Sequence, residues 1–331
     1  MATRGAVLIA GGAGYIGAHC CKAVAAAGFT PVCYDDLSTG HRSFVQWGPF
    51  VLGDIADSRL VADTIRRYDV RAVMHFAASS AIGESVVDPQ TYYRNNVTGA
   101  LGLLQGMREA GCASIVLSST GAVYGEAGRD PIPESAAGPA INPYGRSKYM
   151  IEQILADYRA AYGFSASVLR YFNASGADAE GRIGELRNPE THLIPRALMA
   201  ILGHVTDFAI FGTDYDTPDG TAVRDYIHVD DLAAAHIAAL VRLLEAGAGG
   251  TYNLGTGAGH SVREVVDAIR DETGEQVPLV YRARRAGDPP VLVADPRRAR
   301  QELGFQARCS DLGTIIRSAW AWHQTAHPRI A

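Results

Sequence analysis

The segment Val7-Leu8-Ile9-Ala10-Gly11-Gly12-Ala13-Gly14-Tyr15-Ile16-Gly17 limits the possible folds more than any other feature. Four apolar residues read as a buried strand, and a helical pattern follows over residues 15–27. Gly11, Gly14 and Gly17 punctuate the turn between them. Glycine accepts positive φ and allows close approach of a ligand or a second backbone. The helix start offers unpaired N–H groups and the positive end of a dipole, which suit a pyrophosphate. Asp35 and Asp36 stand 18 and 19 residues after Gly17, just past a second strand, where a carboxylate can meet an adenosine ribose. A carboxylate there repels a 2′-phosphate and favours NAD over NADP, although one of the two acids can instead cap the turn.

The same alternation continues. Strand-like runs at 31–34, 72–76, 114–118 and 166–170 are separated by helical patterns at 58–68, 90–110 and 143–161. Repeated βα units predict an α/β fold with a doubly wound parallel sheet covered by helices on both faces. After Asn173 the chain turns loop-rich, with helical runs at 193–202, 230–245, 262–272 and from Leu312 onward. The expectation is a Rossmann domain over 1–173, joined by part of 224–255, with 174–331 forming mainly a smaller, loop-rich C-terminal substrate domain.

Composition excludes several classes. A chain of 331 residues with 47% apolar and 20% charged residues can bury a core and is not disordered. A net charge of -5 argues against a nucleic-acid partner. Residues 5–21 mimic a membrane or signal segment, but five glycines fit the strand–turn–helix better. Five cysteines without a CxxC point to reduced thiols in a cytoplasmic protein. His323 and His327 have a helical ligand spacing, but no third ligand is apparent and no metal is expected. His75 and His228, beside apolar strands, read as satisfied structural histidines.

Tyr144 and Lys148 share one helix face at i, i+4. A nearby ammonium stabilises a phenolate, which would make Tyr144 a base for a hydroxyl group. Ser118, Ser119 and Thr120 end a strand at the edge where open α/β sheets bind ligands. Hydroxyl, tyrosine and lysine after a dinucleotide fold point to hydride transfer at a carbinol or carbonyl carbon. Asp54, after the strand-like run 50–52, suits either the adenine amino group or the N-cap of the helix from Ser58.

With the motifs GGAGYIG, HFAA and GES, NNVTGA, SST and VYG, YGRSK, RYFNASGA, FGTDYDTPDGTAVRDYIHVDD, YNLGTG and RRAGDP, the chain resembles the extended short-chain dehydrogenase/reductase family, and within it the UDP-glucose 4-epimerases. The resemblance covers nearly the whole chain. It implies a tightly held NAD that takes hydride from C4 of a UDP-hexose and returns it to the other face of a transient 4-keto sugar. Tyr144 would be the base, Lys148 would bind the nicotinamide ribose, and Thr120 would bind the reacting oxygen. Cofactor contacts would be Gly11, Gly14, Tyr15, Ile16, Gly17, Asp35, Asp36, Asp54, Ile55, Phe76, Ala77, Ala78, Ser80, Asn95, Ser118, Tyr144, Lys148 and Tyr171. Thr120, Tyr144, Asn173, His192, Leu193, Phe211, Arg224, Tyr226, Arg285 and Asp288 would hold the UDP-sugar. Arg224 and Arg285 can clamp a diphosphate, and Asp288 can accept from ribose hydroxyls. A homodimer through helices of the Rossmann half is also implied.

Three positions depart from the family pattern. Ser80 replaces a lysine that reaches the NAD phosphates, and His192 replaces an asparagine. Leu292 occupies the position that gates N-acetylated sugars, and its size favours plain hexoses. A 4,6-dehydratase would need an Asp-Glu pair after Thr120, where this chain has Gly121 and Ala122. A non-catalytic sensor of NAD or nucleotide sugar would lose Tyr144 or Lys148, and both are present.

Overall fold

The computed structural model describes residues 4–126, 128, 131–136, 138–285 and 288–330. Its centre is a seven-stranded, wholly parallel sheet. Six strands come from the first half: β1 (Ala6–Ala10), β2 (Thr30–Asp35), β3 (Phe50–Leu52), β4 (Val70–His75), β5 (Ser114–Thr120) and β6 (Ser165–Tyr171). The seventh, Thr251–Leu254, adds to β6, so the spatial order is Thr251–Leu254, β6, β5, β4, β1, β2, β3. Buried Val, Ile and Leu on both faces make these strands near-continuous apolar runs, as sheets covered on both sides require. β1 pairs with both β2 and β4, which makes its C-terminal end the point where the strand order reverses. Ligands of such sheets bind in that crevice.

Two apolar clusters clothe the sheet. One face packs Val7, Ile9, Met74 and Leu254 against Cys20 and Val24 of the Tyr15–Ala26 helix and Leu232, Ala239 and Leu240 of the Val229–Ala246 helix. The other packs Leu8, Val32, Val73 and Leu117 against Val61, Leu103, Met107 and Ile151. A third cluster joins the helices Leu193–Ile201, Val262–Thr273 and Leu312–Ala326. Small pairings such as Asn173–Ser175 with Tyr226–His228, and Val223–Arg224 with Val291–Leu292, lay loops over the sheet edge. Among the described residues no helix is long and apolar enough to cross a membrane.

The sequence reading needs correction in three places, and on His228 it stands. The run expected as one helix over 90–110 is Pro89–Tyr92, a π-helical stretch at Tyr93–Thr98, and Gly99–Glu109. The π stretch re-aims Asn95 and Asn96 toward the β4 loop. Asp57, not Asp54, caps the Ser58–Tyr68 helix by accepting from Leu60 N at 3.0 Å. His228 is satisfied, accepting from Asp230 N at 3.1 Å and bonding Ser318 Oγ. His75 is not: both ring nitrogens are buried without a described partner, and burial pushes its pKa down to about 3, so it is neutral.

Candidate active site

The glycine turn is built by close approach. Gly11 has φ +83°, and a Cβ there would lie 2.5 Å from Ala77 N. A Cβ on Gly17 would lie 2.0 Å from Gly11 O. One on Gly14 would meet no protein atom nearer than 3.4 Å, which leaves room above the turn. Gly14 is also the N-cap of the Tyr15–Ala26 helix and supplies no side-chain acceptor, so the first-turn amides are open to an anion. These features fit a dinucleotide diphosphate.

Asp35 is buried at the end of β2 and accepts from Ala13 N at 2.9 Å and Leu37 N at 2.8 Å. Burial raises its pKa, while those two amides hold it down. It ties the glycine turn to the second strand and keeps free lone pairs for a ribose. Asp36 is exposed and bonds Ser38 N and Oγ, the turn-capping role. Asp54 accepts from Ala56 N at 2.8 Å in its own turn. Ile55 is a core residue of one apolar cluster, and Ile16 packs on the edge of the other. The Tyr15 hydroxyl is already committed to Gly176 O at 2.6 Å.

Phe76, Ala77, Ala78 and Ser80 follow β4 at the crevice. Amides of Phe76 and Ala77 both donate to Ala10 O, at 2.7 and 2.9 Å. Asn95 donates to Ser79 Oγ at 3.1 Å. Asn96, which the sequence reading passed over within NNVTGA, is fully buried. It accepts from Ser79 N at 2.8 Å and donates to Ser147 Oγ at 2.9 Å, and Ser147 donates in turn to Tyr144 O. The β4 loop is thereby fastened to the helix that carries the tyrosine.

That helix is Pro143–Tyr162. Asn142 caps it by accepting from Gly145 N at 2.8 Å, and Pro143 at the first position pre-sets φ. Tyr144 therefore enters on the first turn, beside Thr120 at the end of β5. Burial raises the Tyr144 pKa, opposed by the Thr120 hydroxyl and then by the Arg187 guanidinium. The Lys148 ammonium, expected to lower the phenol, donates to Ser118 O at 3.1 Å, and burial pushes its pKa down to about 8. Ser118 Oγ bonds the Tyr171 hydroxyl. Gly121 abuts Phe172, so no carboxylate follows Thr120.

A second group gathers around Arg285 and Arg224. The Arg285 guanidinium lies 3.9 Å from the centre of the Phe211 ring. Burial lowers its pKa, the Asp288 carboxylate opposes this, and the like charges on Arg196 and Arg224 add to it. Arg224 and Asp288, expected as separate contacts, form an ion pair with each other. Asn173 donates to Asp225 O at 3.0 Å, and Tyr226 is buried on the adjacent strand. His192 starts the Leu193–Ile201 helix, half-exposed, with Nδ1 2.7 Å from Glu185 Oε1. Leu292 packs with Phe172 against Tyr124, just beyond Thr120. Ala286 and Gly287 of the RRAGDP motif lie outside the described residues.

Glu185, Glu190 and His192 bring ligand-type atoms within 4.8 Å of one another. Glu185 Oε1 already takes both His192 Nδ1 and Arg187 Nε, so the group is closed by hydrogen bonds beside a guanidinium. His323 and His327 stack ring on ring at 5.4 Å, and burial keeps His323 neutral.

Residues 7–255 match the model of the NAD dependent epimerase/dehydratase family. The chain belongs to that family. A UDP-glucose 4-epimerase of Rhizobium meliloti (strain 1021) is 50% identical over 317 residues, 96% of each chain. The structure is similar to a UDP-glucose 4-epimerase from Brucella ovis in complex with NAD, at TM-score 0.93 and 54% identity over 96% of this chain and 97% of that one. It is likewise similar to a UDP-glucose 4-epimerase from Stenotrophomonas maltophila with bound NAD and formylated UDP-arabinopyranose, at TM-score 0.94 and 40% identity over 98% and 99%. In this family member the glycine turn follows β1, Thr120 ends β5, and Tyr144 and Lys148 stand on the first two turns of the Pro143–Tyr162 helix.

Proposed function

We propose that this chain interconverts UDP-galactose and UDP-glucose by epimerisation at C4. The observation that carries the reading is Tyr144, beside the Thr120 hydroxyl, above a glycine turn whose open amides suit a diphosphate. Gly11, Gly14, Gly17, Asp35 and the Phe76–Ser80 loop hold NAD, with Asn95, Ser118 and Tyr171 lining its nicotinamide end. Bound NAD accepts hydride from C4 and gives it back. Tyr144 removes the proton of the 4-hydroxyl and later returns a proton to the 4-oxygen. Thr120 holds that oxygen, and the Lys148 ammonium binds the nicotinamide ribose. The 4-keto sugar turns between the two half-reactions, so each face of C4 meets the cofactor.

Arg285 on Phe211 and Arg224 with Asp288 receive the diphosphate and ribose, while Asn173, His192, Leu193 and Tyr226 complete the uridine end. Leu292 limits the space beyond Thr120 to plain hexoses. Elimination of water, the 4,6-dehydratase reaction, lacks a carboxylate at Gly121 and Ala122. The described cysteines are free, which suits the cytoplasm. Leu101, Tyr149 and Met150 leave apolar area exposed on the helices Gly99–Glu109 and Pro143–Tyr162, which supports a homodimer through these helices. Light scattering showing only monomer would remove the dimer.

Incubation of the purified protein with UDP-galactose, without added cofactor, tests the function. A steady mixture with UDP-glucose is expected. No conversion even with added NAD overturns the reading, and conversion only with added NAD retains the chemistry with a loosely held cofactor.

A further inference from the structure

Ser119 and Arg170 stand opposite each other in the β5–β6 pair, and the next pair along is Thr120 with Tyr171. Both reach the same side chain of the Pro143–Tyr162 helix. Ser119 Oγ donates to Glu152 Oε1 at 2.5 Å. Arg170 Nε donates to that oxygen at 3.0 Å, and Arg170 Nη2 donates to Glu152 Oε2. Glu152 follows Lys148 by one helical turn and Tyr144 by two. Lys148 in turn donates to Ser118 O at 3.1 Å. The helix is therefore pinned to two consecutive residues of β5, Ser118 and Ser119, immediately before Thr120.

Arg170 also holds the chain that leaves Thr120. Its Nη1 donates to the Tyr124 hydroxyl at 2.9 Å and to Glu134 O at 3.2 Å. Tyr124 closes the single turn Gly121–Tyr124, and its hydroxyl donates to Asn253 Oδ1 at 2.6 Å on the seventh strand. One guanidinium thus fixes both neighbours of Thr120, Ser119 by way of Glu152 and Tyr124 directly. The Arg170 and Glu152 side chains are only 10% and 8% exposed, and their charges cancel. What the pair supplies is direction rather than a field. The remaining contact of helix and sheet, Ile151 and Leu155 among the apolar residues that include Ile115 and Leu117, is non-directional and permits sliding. Hydrogen bonds between a planar fork and a carboxylate do not.

We propose that Glu152 is a positioning residue of the hydride-transfer site: clamped by Ser119 and Arg170, it fixes where the helix sits along β5 and so sets the Tyr144 phenol against the Thr120 hydroxyl. The inference rests on Tyr144 and Thr120 handling the 4-oxygen in the C4 epimerisation. A misplacement of about 1 Å between groups that share a reacting atom costs roughly 10²-fold in rate. The glycine turn and the Arg224 and Arg285 group lie on other elements, so loosening this clamp slows the chemical step and spares binding of the two nucleotides.

The test compares wild type with the double variant Glu152→Leu/Arg170→Met. Replacing both members of a buried ion pair by apolar residues of similar size leaves no unpaired charge and is often neutral for stability. Tm, retained NAD, and kcat and KM for UDP-galactose are measured, with kcat read on the plateau of each pH profile so that a changed titration of Lys148 does not count. The expected result is a Tm within a few degrees of wild type, NAD retained, kcat lowered roughly ten- to hundredfold and KM changed by less than about twofold. Full kcat in the folded variant overturns the proposal and leaves the pair as core packing. A raised KM with kcat kept, or loss of NAD, also overturns it. If the double variant does not fold, Ser119→Ala carries the test. It removes one pin at the strand end, and kcat should fall roughly three- to tenfold at unchanged Tm and NAD content, whereas an unchanged kcat overturns the proposal. Absence of turnover in wild type overturns the epimerase reading instead.

Discussion

At the scale of single residues, two positions separate chemistry from architecture. Removing one hydroxyl with Tyr144→Phe keeps the ring that meets Tyr92. Epimerisation should fall by on the order of 10²–10⁴-fold while NAD stays bound, as chromatography of the sugar nucleotides and of cofactor released on denaturation would record. Loss of NAD with full turnover on readdition would contradict the assignment. Gly17→Ala acts the other way. Its Cβ would overlap Gly11 O, and backbone cannot swing aside as a flexible side chain would. The variant should purify without NAD and lose ~3 kcal/mol of stability in urea titration. These residues were legible because each demands a rare property at a fixed offset: no Cβ, or phenol and ammonium one turn apart. Glu152 was not. It reads as an ordinary helix residue, and its partners Ser119 and Arg170 are local only in the folded chain. Asn96 was hidden for a different reason, since a π-helical turn displaces it from the face a regular helix would give it.

At the scale of elements, the loop from Ile183 to the Leu193–Ile201 helix concentrates charge in little water. Glu185 is held down to about 2, burial being outweighed by His192 and Arg187, while Glu190 is raised to about 7. Glu190 thus binds its proton more tightly in the folded state than in the unfolded chain. Its contribution to stability is complete below about pH 4.5 and is lost as pH rises toward 7. Glu190→Gln removes that loss, so the Tm of the variant relative to wild type should be higher at pH 8 than at pH 5. The difference is at most ~3 kcal/mol, about 4 °C for a chain of 331 residues. A pH-independent Tm difference would mean that Glu190 is ionised in the fold. The six strands of the first half and most helices were legible within a residue or two, because apolar runs and 3.6-residue periodicity report burial directly. The division of the 89–109 helix was not, because π geometry leaves no periodic mark in so short a stretch.

At the scale of the whole molecule, the sheet is not a product of the first half alone. Strand Thr251–Leu254 and helix Val229–Ala246 complete one of its two apolar faces. Four residues are too few for a periodic signal, which is why a contribution from 224–255 was legible only in outline. A fragment ending at residue 173 would leave Ile9, Met74 and Leu169 without the Leu232, Ala239 and Leu240 that cover them. It should neither unfold cooperatively nor retain NAD, as a melt followed by circular dichroism and cofactor fluorescence would register.

This closure also sets a clock. The glycine turn leaves the ribosome well ahead of the helix that backs it, which is made more than two hundred residues later. During synthesis the nascent N-terminal half must wait as a half-covered layer. Cofactor capture then becomes a late event in the protein's history, and a holoenzyme reports that the chain was made at least through Leu254.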